Sequence, residues 1–140
     1  MFEVQYTQHF MSLKFCPLSS KGSGQFKKDN FYWDFEIKPS NFSRVYRISL
    51  RWNFNDTSPK VYILNDEIHQ IAKERTIPHL YCQKKIELCL YYPSSNGFST
   101  KDPLCKTIVS WTYLWILYYE EWLYSGEWKG GGIHPQTNNK

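Results

Sequence analysis

The sequence predicts an α+β fold in which a four-stranded antiparallel meander packs on a C-terminal helix. Two observations carry most of that expectation. Phe31, Trp33, Phe35 and Ile37 alternate with Tyr32, Asp34, Glu36 and Lys38, and a period of two is the pattern of a half-buried strand. Trp111, Leu114, Trp115, Tyr118 and Trp122 recur instead at helical spacing between about Ser110 and Tyr124. A chain of 140 residues has room for one core. It reads as a single domain over 1–140, with a polar tail at 136–140.

Taken in order, residues 2–10 read as a short helix, against the preferences of Val4, Tyr6 and Thr7. Met11 to Cys16 alternates apolar and mostly polar residues, a first strand ended by Pro17. The Ser, Gly and Lys residues from Ser19 to Asn30 read as a flexible hairpin loop. The second strand is Phe31 to Ile37, stopped by Pro39. In the third, Tyr46, Ile48, Leu50, Trp52 and Phe54 point one way and Arg47, Ser49, Arg51 and Asn53 the other. Asn55-Asp56 supplies a turn, and Pro59 to Ile63 is the fourth strand. Around Glu67 to Arg75, Ile68, Ile71 and Ala72 have the spacing of a helical turn or two. Ser94 to Pro103 is a loop before the C-terminal helix. That helix carries further apolar residues at Ile116, Leu117 and Leu123, so more than one face must be covered, and Gly126 is placed to cap it in a left-handed conformation. Gly130-Gly131-Gly132 reads as an ordinary loop.

Composition narrows the function classes. The net charge is +4 and the basic residues are scattered, which argues against a nucleic-acid footprint. A stacking platform would want arginines and aromatics on one face, whereas Tyr46 and Trp52 lie opposite Arg47 and Arg51. The first ten residues lack the basic start and apolar run of a secretory signal. The run from Trp111 to Tyr119 is too short to cross a bilayer. The cysteines Cys16, Cys82, Cys89 and Cys105 lack disulfide-scaffold density and read as free thiols of a cytoplasmic chain. A metal set drawn from His69, His79, Cys82 and Cys89 lacks paired CxxC spacing, so neither metal nor cofactor is expected.

The stretch that carries chemistry is HLYCQKKIELCLYYP, from His79 to Pro93. His79 precedes Cys89 by ten positions, with the polar turn Gln83-Lys84-Lys85 between them, and Cys89 lies between Leu88 and Leu90. A cysteine so flanked is more often a small buried hydrophobe than a nucleophile, and Cys82 is the rival thiol. The layout resembles the active-site segment of ubiquitin-conjugating enzymes, where an HPN tripeptide stands the same distance before a thioester-forming cysteine. Here the tripeptide reads His79-Leu80-Tyr81. Pro59-Lys60-Val61 matches the start of that family's last meander strand, although the stretch around Glu67 to Arg75 is then an insertion.

LCLYYP, SWTYLWILYYEEW and SGEWKGGGIHP together resemble a compact bacterial branch of this fold. Its genes lie in cyclic-oligonucleotide anti-phage (CBASS) operons beside a cGAS/DncV-like nucleotidyltransferase. The resemblance spans roughly Phe31 to Pro135, with Phe98 where a tryptophan is expected and Ser110 where a proline is expected. It implies a ubiquitin-conjugating-enzyme-like fold in which Cys89 accepts the C-terminus of a partner protein, that nucleotidyltransferase, and passes it to an amine. A thiol near its ordinary pKa of about 8.5 suffices when the incoming bond is already activated. By resemblance His79 braces the segment. The oxyanion donor, an asparagine in the family, falls at Tyr81, and Asn96 is the other candidate. The alternative is an inactive binding module for the same partner. Self-association into a homodimer stays open.

Overall fold

A computed structural model describes residues 2–90 and 98–130. Helix α1 (Phe2–Phe15) comes first, followed by strands β1 (Ser23–Phe26), β2 (Asn30–Ile37), β3 (Tyr46–Asn53) and β4 (Lys60–Ile63). A single turn, α2 (Ile68–Ile71), precedes β5 (Leu80–Cys82) and β6 (Glu87–Leu88). A π-helical turn (Cys105–Val109) then leads into α3 (Ser110–Ser125). Among the described residues the strands form one six-stranded antiparallel sheet in the order β1-β2-β3-β4-β6-β5.

The alternation read from the sequence sets the register of the central strands. Phe31 lies opposite Trp52, Trp33 opposite Leu50, Phe35 opposite Ile48 and Ile37 opposite Tyr46. All eight are buried, while Arg47, Arg51 and Glu36 stand exposed on the other face. Because the side-chain period is two, a one-residue slip would turn this entire apolar set to solvent, so burial itself selects the register.

The N-terminal third departs from expectation. Met11 to Cys16 is no strand; it continues α1 and the turn after it. A strand would group Met11 and Phe15 with Leu13. Instead Leu13 is 0% exposed while Met11 is 38% and Phe15 76% exposed. The buried set is His9, Phe10, Leu13 and Cys16, three and four residues apart as on one helix face. Phe10 packs edge-on to Phe31 and Trp33, so tertiary packing overrides the weak helix propensity of the segment. Pro17 then prevents continuation.

The expected loop at Ser19 to Asn30 contains β1, an edge strand antiparallel to β2. Gly24 there lies so close to its neighbour that an added Cβ would clash with the Tyr32 carbonyl. The small residues that mimic a loop in sequence are what allow this approach. The meander therefore has four strands, with β1 as its first, and β5 and β6 widen the sheet beyond it. Neither of those is long enough to display an alternation.

The free-thiol reading of Cys16 and Cys105 is also overturned. The two form a disulfide with Cα atoms 5.6 Å apart across a sequence separation of 89. It joins the end of α1 to the π-turn before α3, a pairing no local spacing could reveal.

Helix α3 ends at Gly126 in the left-handed conformation, φ 79°, whose N–H bonds the Trp122 carbonyl. Its buried residues are Thr112, Trp115, Ile116, Tyr119 and Trp122, whereas Leu114 of the expected stripe is 45% exposed. With apolar residues at nearly every position, periodicity could not choose the phase. The neighbours choose it: Tyr46 meets Tyr119 edge-on, and its hydroxyl bonds Glu120 at 2.8 Å.

Candidate active site

The segment carrying His79 and Cys89 belongs to the chain that runs from α2 to just past β6. Ile68 and Ala72 bury α2, and the Tyr119 hydroxyl of α3 donates to the Ile68 carbonyl at 2.9 Å. The Arg75 guanidinium lies 4.4 Å from the Trp122 ring centre. The stretch around Glu67 to Arg75 is thus a strut under the end of α3, and its helical turn is as expected.

Gln83, read from sequence as part of a polar turn, is buried. Its side-chain amide bonds Ile77 twice, donating to the carbonyl at 2.8 Å and accepting from the N–H at 3.1 Å. An amide side chain has one donor face and one acceptor face, so Gln83 pairs with the Ile77 backbone much as a strand would. A ring nitrogen of His69 bonds the Gln83 carbonyl in turn. Among the described residues no three His, Cys, Asp or Glu residues assemble as a metal site.

His79 and Cys89 are brought together by their backbones. The Cys89 N–H donates to the His79 carbonyl at 3.0 Å, one step beyond the Leu80–Leu88 pair of β5 and β6. His79 holds φ at 54°, a left-handed conformation that non-glycine residues adopt infrequently. Such backbone persists where surrounding contacts over-determine it. Those contacts come from α3 and the chain beyond it. The Trp115 indole N–H donates to the same His79 carbonyl at 2.9 Å, and Trp128 lies 5.1 Å from the His79 ring. Sequence reasoning missed Gln83, Trp115 and Trp128. The tryptophans were visible as members of an aromatic-rich C-terminal third, without a partner assigned.

Pairing of Leu80 with Leu88 and of Cys82 with Glu87 makes Tyr81 the extra residue of a β-bulge. Bulges re-aim side chains, and Tyr81 is half-buried. Asn96, with Tyr91 to Pro93 of the sequence motif, lies outside the described residues, as does the glycine run after Gly130. Cys82 and Cys89 lie outside the disulfide and both are buried, at 6% and 4% exposure. Phe98, in place of the expected tryptophan, packs edge-on against Trp52 at 5.5 Å. No described helix is long and apolar enough to cross a membrane.

Nothing among curated proteins matches the chain. A family model does match, over residues 9–135, and its description is Type II CBASS E2 protein. The match takes in the antiparallel meander, the His79–Cys89 segment and α3, and with it an E2-like role in bacterial anti-phage defence among the protein products of an operon. The chain belongs to the family of type II CBASS E2 proteins.

Proposed function

We propose that this protein is a thioester-forming conjugating enzyme. Cys89 accepts the C-terminal carboxyl of a partner protein, a cGAS/DncV-like nucleotidyltransferase of the same operon, and passes the acyl group to an amine in the cytoplasm. The observation that carries this reading is the hydrogen bond from the Cys89 N–H to the carbonyl of a left-handed His79, in a chain of the E2 family. The bond ties the thiol-bearing residue to rigid backbone just beyond the sheet.

In the first step the Cys89 thiolate attacks an activated carboxyl and the activating group leaves. In the second an amine attacks the thioester carbonyl and the thiolate departs. The oxyanion between them needs a donor; Tyr81 and Asn96 are the candidates. His79 serves as a brace, and its backbone carbonyl is the atom that supports this role.

The inactive binding module is favoured by one observation, the 4% exposure of Cys89, together with Leu80 and Tyr81 in place of the HPN proline and asparagine. Co-expression with the operon neighbours separates the two. The enzyme should give a slower band on non-reducing gels that reductant removes, and mass spectrometry should find the adduct one water lighter than its two chains. Cys89→Ser should convert it to a reductant-resistant oxyester, Cys82→Ser should leave it intact, and trimming the donor's C-terminus should abolish it. An adduct lost in Cys82→Ser but kept in Cys89→Ser would show the wrong nucleophile was chosen. No adduct with any neighbour would leave the binding module.

A further inference from the structure

We propose that Trp115 is a positioning residue for Cys89, acting through the carbonyl oxygen of His79; the idea rests on the conjugating reading of Cys89. That oxygen accepts two hydrogen bonds, from the Cys89 N–H at 3.0 Å and from the Trp115 indole N–H at 2.9 Å. A carbonyl has two lone pairs, so the two donors share the acceptor without competing. One tethers the residue that bears the nucleophile; the other ties the acceptor to α3.

Trp115 is held well enough to serve as a reference point. It is 3% exposed and stacks on Tyr119 with ring centres 5.4 Å apart and planes 12° apart. Tyr119 is pinned by its hydroxyl to the Ile68 carbonyl. Trp128 packs nearby, 5.3 Å from Trp115 and 5.1 Å from the His79 ring. The indole N–H is therefore fixed relative to α3, and through it the left-handed His79 and the Cys89 backbone are fixed as well.

An indole N–H is neither acid nor base at neutral pH, and no reacting atom is placed on it. Its contribution is placement, and reaction rates depend steeply on sub-ångström placement. If Trp115 were only a packing residue, its N–H would be dispensable, because its contacts with Tyr119 and Trp128 need only the ring.

The test removes the N–H and keeps the ring. In a Cys82→Ser background, Trp115 is replaced by benzothienylalanine, in which sulfur stands for the N–H, or by an azatryptophan that retains it. The probe is an acetyl aryl thioester, which needs no partner protein. The Cys89 thiol gives its proton to solvent, the thiolate attacks the acetyl carbon, the bond between that carbon and the aryl sulfur breaks, and the arenethiolate leaves. Exchange rate at saturation, half-saturating concentration, melting temperature and hydrogen exchange at the Cys89 amide are all read.

The sulfur analogue should lower the saturating rate about tenfold and speed amide exchange at Cys89 about tenfold. Half-saturation should hold, and the melting temperature should stay within about 5 °C. The azatryptophan variant should restore both. Wild-type rate and wild-type amide protection in the sulfur analogue would overturn the proposal. If the wild type takes acetyl from the probe but nothing from its operon neighbours, the donor assignment falls and Trp115 is still judged by the rate. If it takes neither, the conjugating reading falls, and unchanged Cys89 amide exchange in the sulfur analogue would overturn Trp115's role as well.

Discussion

Opening the Cys16–Cys105 disulfide should cost this fold about 4.5 kcal/mol in the chain-entropy description of cross-links. The bond spans a sequence separation of 89, and a loop of that size removes about 15 cal/mol/K of freedom from the unfolded chain. The loss should fall on the unfolded state, because other contacts keep the joined segments together. A His9 ring nitrogen meets the Thr100 carbonyl at 2.9 Å and the Gln5 amide donates to the same oxygen at 3.2 Å. The assay is urea unfolding of the air-oxidised protein, followed by tryptophan fluorescence, with and without reductant. At about 2 kcal/mol per molar urea, the midpoint should fall by about 2 M. A Cys16→Ser, Cys105→Ser double variant should unfold at the reduced midpoint and ignore reductant. A shift below about 0.5 M, or alkylatable thiols at both positions in the oxidised protein, would refute the reasoning. In a reducing compartment such a bond opens, so the reduced midpoint is the one that bears on the proposed function.

Trp52→Ala should destabilise the fold by about 3–5 kcal/mol, measured by the same urea titration. Trp52 is 1% exposed and touches Tyr6, His9, Phe31 and Phe98, and a loss below about 1 kcal/mol would contradict that packing. His9 should make stability fall in acid. Burial holds its pKa below the usual 6.5, against the opposing bond to Thr100. Between the lowered value and 6.5 the unfolded chain therefore binds more protons, so stability is complete above 6.5 and declines as pH falls through the folded pKa. Melting temperature followed from neutral pH into mild acid should show this decline, and His9→Gln should flatten it; an equal decline in the variant would assign it to other groups.

Several elements were legible because their signal is local. β2 and β3 write their two faces into alternate residues, and Gly126 announces a left-handed cap. The interval from His79 to Cys89 likewise survives as a hydrogen-bonded pair. Where the sequence misled, two patterns fitted one stretch. Met11, Leu13 and Phe15 alternate like a strand, yet Phe10 and Leu13 also fit a helix face, and only the presence of Phe31 and Trp33 beneath them decides. In α3 the apolar residues run all round, so the buried face depends on what Tyr46 and the His79 segment offer it.

The sequence by itself determined which faces of the central strands are buried and the existence of α3, since each rests on side-chain periodicity within a short stretch; the segment that bears the candidate nucleophile was singled out by its resemblance to a known family. Tertiary structure alone decided the Cys16–Cys105 bond, the edge strand β1, the bulge at Tyr81, the Gln83 clamp on Ile77 and the meeting of Trp115 with the His79 carbonyl. Those features join residues far apart in the chain or turn on the direction of a backbone carbonyl, and such geometry leaves no periodic trace in the order of the amino acids.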